Sequence, residues 1–179
     1  MSLPNAITLF RVVLIPVFAT AYLYGNYRAA LATFMVAGAM DALDGFLARL
    51  NHASSRLGAF LDPMADKFLL LTAFALLGLD RTVPTWMVIL AFTREIIIVG
   101  GWTIGFLVVK ITRVIPSTLG KGTTVFQVLA VIALQLDRLW PLPPDAAIRL
   151  LDVAMALTAL SGLDYLYRGL KELERRSNK

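Results

Sequence analysis

The sequence predicts an all-α integral membrane protein of six transmembrane helices with both termini in the cytoplasm. Three observations lead there. Of 179 residues, 58% are hydrophobic and only 16% charged, with a mean hydropathy of +0.73, whereas a soluble domain carries charge on about a quarter of its residues. The apolar residues fall in six runs of bilayer-spanning length, which for a helix means about 17–25 residues. The basic residues gather on one side of the resulting topology.

The six segments are expected at Ile7–Tyr24, Ala29–Leu47, Leu57–Leu79, Pro84–Val108, Leu119–Leu136 and Ala146–Tyr167. Only Met1–Asn5 precede the first, without a basic lead or a small-residue cleavage site, so it is expected as a membrane helix rather than a signal peptide. Gly25–Asn26–Tyr27–Arg28 forms a short polar turn before the second. Pro84 suits the first turn of the fourth, where its missing donor has no helical partner to lose. Pro116–Ser117 precedes the fifth, and Pro141–Leu142–Pro143–Pro144 followed by Asp145 reads as a stop and then an N-cap. No connection resembles a domain linker and no repeat is visible, so residues 1–179 are expected to form one membrane domain.

Orientation follows from lysine and arginine. With six spans, one side receives Arg11, Arg49, Arg56, Lys110, Arg113, Lys121, Arg168, Lys171, Arg175, Arg176 and Lys179. The other receives only Arg28, Arg81, Arg138 and Arg149, so the positive-inside rule assigns the richer side, with both termini, to the cytoplasm. The same bias accounts for the net charge of +5. No basic run is interleaved with aromatics, so no nucleic-acid partner is expected. There is no cysteine and only one histidine, His52, which excludes a disulfide framework and disfavours zinc.

The acidic residues are the anomaly. Asp41 and Asp44 end the second segment, and Asp62 and Asp66 lie in the first part of the third. An ionisable group inside a span costs about 2.5–3.5 kcal/mol on insertion scales, which makes it a functional candidate by default. Residues three and four apart share a helix face, so each pair points together. A short loop makes the two helices antiparallel neighbours, with all four acids near the cytoplasmic surface. Singly, they could pair with Arg49, Arg56, Lys67 or Arg94 as structural ion pairs. Four together, beside the small residues Gly38, Ala39, Ala42, Gly45 and Ala48, point instead to a site. Clustered carboxylates repel unless cations neutralise them, and hard oxygen ligands suit Mg²⁺, Mn²⁺ or Ca²⁺.

Written as a pattern, this stretch is Asp41-x2-Asp44-Gly45-x2-Ala48-Arg49-x8-Gly58-x3-Asp62-x3-Asp66. It resembles the signature of the CDP-alcohol phosphotransferase (CDP-alcohol phosphatidyltransferase) family at every fixed position. Pro4-Asn5 with Thr8 and Arg11 is similar to the family's N-terminal pattern. Thr93-Arg94-Glu95 and Gly120-Lys121-x2-Thr124-x2-Gln127 look like the bacterial branch that uses phosphatidyl donors.

The resemblance implies phospholipid synthesis, with a phosphatidyl group passing from CDP-diacylglycerol to an alcohol and CMP released. It implies that Asp41, Asp44, Asp62 and Asp66 hold two divalent cations, Mg²⁺ or Mn²⁺, and that Asp66 also serves as catalytic base. Asn5, Thr8, Asp44, Gly45, Ala48, Arg49 and Gly58 would contact the CDP group. Glycine lets backbone approach closely, and arginine offers phosphate a planar fork. It further implies a multi-pass protein of the cell (inner) membrane, its active site facing the cytoplasm among membrane lipids. A homodimer is common in the family, and the Gly101-x3-Gly105 spacing suits a helix contact.

Arg94, Arg113 and Lys121 are the cations expected to bind the acceptor. Glycerol 3-phosphate leads, as in phosphatidylglycerophosphate synthases. Arg113-x2-Pro116-Ser117-x2-Gly120-Lys121 and Ser161–Tyr165 also resemble cardiolipin synthases of the CMP-forming type, which use phosphatidylglycerol. A different class, a small cation or proton transporter, would distribute its acids along a path through the bilayer and in related halves. Here they gather at one depth.

Overall fold

A computed structural model describes the backbone of residues 3–51, 58–109 and 118–177, and the side chains of 10–40, 67–100, 119–169 and 171. Among the described residues there are six helices and no strand: α1 Leu3–Leu23, α2 Tyr27–Asn51, α3 Gly58–Leu79, α4 Thr85–Val109, α5 Thr118–Leu139 and α6 Ala146–Ser177. Among the described residues two stretches, Leu119–Leu139 and Ala146–Gly169, are long and apolar enough to cross a membrane, and shorter apolar stretches run over Phe10–Leu23 and Lys67–Leu79.

The turns follow from local chemistry. Gly25 takes a left-handed φ of 73°, and the chain reverses there through bonds from Gly25 N to Tyr22 O (3.0 Å) and Asn26 N to Ala21 O (2.9 Å). This is a Schellman ending, which favours glycine because a Cβ would be strained at that φ. Asn26 then caps α2: its Oδ1 accepts from Ala29 N at 3.2 Å and its carbonyl from Ala30 N at 3.0 Å. Pro84 lies one residue ahead of α4, its carbonyl accepting from Met87 N at 2.9 Å. Asp145 precedes α6 and its carbonyl accepts from Arg149 N at 2.8 Å, but its φ is 63°, a left-handed cap that aspartate tolerates better than most residues.

The packing orders the helices. Phe18 meets Phe34 at 5.6 Å and Tyr22 meets Tyr27 at 5.4 Å, so α1 and α2 are antiparallel. Lys67 reaches Glu95 while Gly78 lies against Val88, which makes α3 and α4 antiparallel. Gln127 bonds Thr158, and α5 and α6 form the broadest interface. α1 packs against both α2 and α3, while α5 touches α2, α3 and α6. Arg138 near the end of α5 contacts Tyr22, Tyr27, Asp80 and Thr82. The three described turns therefore share one end of the bundle. The other end receives the last part of α2, the start of α3 and the N-terminus of α5.

Polarity is arranged inside out. Arg11, Arg94, Glu95, Gln127, Gln135 and Thr158 are buried, whereas Val13, Val17, Ile89, Ile96, Val125 and Leu163 are exposed. An apolar exterior suits hydrocarbon surroundings, in which backbone groups must bond within their own helix.

Candidate active site

The two acidic helices touch, and they run antiparallel because Tyr27 opens α2 at the end where Leu79 closes α3. At a rise of 1.5 Å per residue, Asp41 and Asp66 both stand about 20 Å from that end, and Asp44 and Asp62 about 25 Å. The backbone thus sets four carboxylate-bearing residues at two matching levels on adjoining helices. On α1, Thr8 stands at about 22 Å and Asn5 at about 27 Å by the same reckoning. Gly45, Ala48 and Arg49 continue α2 toward its end, and Gly58 opens α3. The side chains of all these residues lie outside those described, as does Arg113 entirely.

Arg11, counted in the sequence on the side rich in basic residues, is fully buried on α1, at the level of Asp41 and Asp66. The cause is the position of α1, which packs against both acidic helices.

Three further helices meet α3 at the described edge of this region. Lys67, next after Asp66 in α3, sets Nζ 2.7 Å from Glu95 Oε2 of α4. Arg94 donates to Glu95 Oε1, and its other terminal nitrogen donates to Gly120 O of α5 at 3.3 Å and Ser161 Oγ of α6 at 3.4 Å. Arg94 and Glu95 are 5% and 7% exposed, so their charges survive burial only as a pair with further polar partners. Glu95 is the residue the sequence reading underweighted. Its signal was present, since it is an acid ten residues into α4, and an acid inside a span is itself a candidate.

The α5–α6 seam is polar at the same levels. Thr123 Oγ1 lies 2.9 Å from Leu119 O and 3.2 Å from Leu157 O, across the seam. Gln127 Nε2 donates to Thr158 Oγ1 at 2.9 Å, which donates to Ala154 O at 2.6 Å. Lys121 is exposed in the first turn of α5, where the helix dipole favours an approaching anion. The structure thus brings Arg94 to the α3–α4–α5–α6 junction, with its guanidinium engaged, and leaves Lys121 open at the α5 terminus.

The comparisons bear on this arrangement over nearly its whole length. Residues 1–162 match the family model for CDP-alcohol phosphatidyltransferase. The chain is 36% identical to a Mycobacterium tuberculosis protein named probable phosphatidylglycerophosphate synthase, over 96% of this chain and 83% of that one. It is 38% identical to the CDP-diacylglycerol–glycerol-3-phosphate 3-phosphatidyltransferase of Escherichia coli K12, covering 92% and 93%, and 31% identical to the Aquifex aeolicus protein of that name, covering 96% and 97%. With its acidic signature borne on two adjoining antiparallel helices, the chain belongs to the CDP-alcohol phosphatidyltransferase family.

Proposed function

We propose that this protein transfers the phosphatidyl group of CDP-diacylglycerol to glycerol 3-phosphate, giving phosphatidylglycerophosphate and CMP. The observation that carries the reading is the similarity, over more than nine-tenths of the chain, to proteins named for that transfer.

The proposed donor site lies between the ends of α1, α2 and α3. Asn5, Thr8, Asp44, Gly45, Ala48, Arg49 and Gly58 contact the CDP group, with Gly45 and Gly58 admitting it close to the backbone. Four carboxylate-bearing residues at two matching backbone levels fit a pair of divalent cations, and Asp41, Asp44, Asp62 and Asp66 would hold Mg²⁺ or Mn²⁺ there. Such ions supply charge neutralisation at a pyrophosphate and at the departing CMP. Asp66 takes the proton from the acceptor hydroxyl as that oxygen bonds to the lipid-bearing phosphorus. The bond from that phosphorus to the CMP oxygen breaks, and CMP leaves with its electron pair. Arg94, Arg113 and Lys121 form the cationic side that draws the acceptor's phosphate.

The protein would then be one domain over residues 1–179, with six membrane spans. Both termini and the site face the cytoplasm of the cell (inner) membrane, the acyl chains remain in lipid, and the chain pairs as a homodimer. All six helices have the length for this, at 21–32 residues each.

A CMP-release assay on purified protein tests the reading. CDP-diacylglycerol is supplied with Mg²⁺ or Mn²⁺ and either glycerol 3-phosphate, phosphatidylglycerol, inositol phosphate or serine. Release that needs glycerol 3-phosphate and stops on chelation supports it. Release only with phosphatidylglycerol assigns the chain to cardiolipin synthesis, and no release with any acceptor sinks the enzymatic reading.

A further inference from the structure

Among the described side chains, Lys67, Glu95 and Arg94 form a cluster of two cations and one carboxylate. Glu95 and Arg94 balance each other in the interior, and the remaining positive charge falls to Lys67, which is 29% exposed. A cation left over in this way, at the open side of a buried pair, is placed to accept an anion.

The two cations differ in what occupies their donors. Arg94 spends its terminal nitrogens on Glu95, the Gly120 carbonyl and the Ser161 hydroxyl, and so ties α4 to α5 and α6. Withdrawing it to serve a ligand would break those ties. Lys67 has three ammonium donors, an ion pair with Glu95 at 2.7 Å, and a side chain 29% exposed. It can turn toward an anion while keeping Glu95. Lys67 also follows Asp66 directly on α3, within about 1.5 Å along the helix axis. An anion on Lys67 therefore lies at the level of the proposed base.

We propose that Lys67 is a further contact for the acceptor's phosphate, and that Glu95, braced by Arg94, is the positioning residue that aims its ammonium. The inference rests on the glycerol 3-phosphate reading above. Glu95 fixes one point of a flexible lysine stem, so the ammonium is set before the acceptor arrives. Arg94 acts through Glu95, and Lys121 at the α5 terminus completes the approach.

The test separates acceptor from donor kinetics in purified wild type, Lys67→Met, Lys67→Arg, Glu95→Gln and Glu95→Asp. Loss of a charge-assisted bond predicts a KM for glycerol 3-phosphate raised about tenfold or more in Lys67→Met, with the KM for CDP-diacylglycerol within about twofold of wild type. Its thermal midpoint is kept, because Glu95 and Arg94 still balance one another. Lys67→Arg recovers part of the acceptor KM. Glu95→Gln raises the acceptor KM and also lowers the midpoint, since two cations then face each other, and Glu95→Asp recovers part of both. An unchanged acceptor KM in Lys67→Met, or parallel rises in both KM values, overturns the inference while leaving the reaction standing. Wild type inactive on glycerol 3-phosphate overturns the reaction and this inference together.

Discussion

Arg138 of α5 sets Nη2 2.6 Å from Asp80 Oδ2 in the turn between α3 and α4. That pair gathers the end of the bundle opposite the signature aspartates. The Tyr22 hydroxyl donates to the same carboxylate, and Thr82 donates to its other oxygen through N at 3.0 Å and Oγ1 at 2.6 Å. The guanidinium carbon lies 5.4 Å from the Tyr22 ring centre and 4.8 Å from that of Tyr27, within cation–π range. α1, α2, the end of α3 and α5 are thereby clasped at one end.

Acid should loosen this clasp. Burial opposes the Asp80 charge, but hydrogen bonds from Thr82 and Tyr22 and the charge of Arg138 outweigh it, holding the carboxyl below its ordinary value of 3.8. With the folded value depressed, the contribution is complete above the unfolded pKa and is lost as pH falls through the folded one. The thermal midpoint in detergent is expected to fall on acidification below about pH 4, and Asp80→Asn to remove that part of the dependence. Identical acid profiles for the two proteins would show that the clasp does not titrate.

Gly78 of α3 packs tightly on α4: a Cβ added there would lie 2.7 Å from Val88 Cγ2. Gly78→Ala gains about 1 kcal/mol in helix propensity, whereas overpacking costs about 1–3 kcal/mol. Val88 is stiff at χ1 and cannot turn aside cheaply. The expected result is a net loss of stability, read as a lower thermal midpoint. A higher midpoint would mean that the two helices separate at little cost.

The helices were legible because hydrophobic runs of span length leave little alternative, and the Gly25–Asn26 turn was legible because its φ and cap demand those residue types. Their ends were less so. α2 continues past Leu47 to Asn51 and α6 past Tyr167 to Ser177, because helical bonding does not stop where lipid-facing hydrophobicity does. The spacing of the four aspartates pointed to a cluster on two adjoining helices, and the family resemblance supplied its signature. The clasp was not legible, since Tyr22 and Asp80 are 58 residues apart and only packing brings them together. Arg138 looked like one of four charges on the sparse side of the membrane. Glu95 was visible as an acid inside a span, but its pairing with Lys67 of another helix was not.

Asp66→Asn tests the base. The amide keeps the size of the carboxylate and loses its ability to take a proton, so turnover should fall by about 10²-fold or more. CDP-diacylglycerol binding and the thermal midpoint should change little. Full activity in that variant would move the base to another residue.

The central claim is the transfer itself, and lipid product analysis reads it most directly. Purified protein receives CDP-diacylglycerol, Mg²⁺ and isotopically labelled glycerol 3-phosphate, and the lipid extract is followed by mass spectrometry. The account predicts labelled phosphatidylglycerophosphate appearing in equal amount with CMP. CMP formed without label entering the lipid, or a labelled acceptor left wholly unreacted, would contradict it.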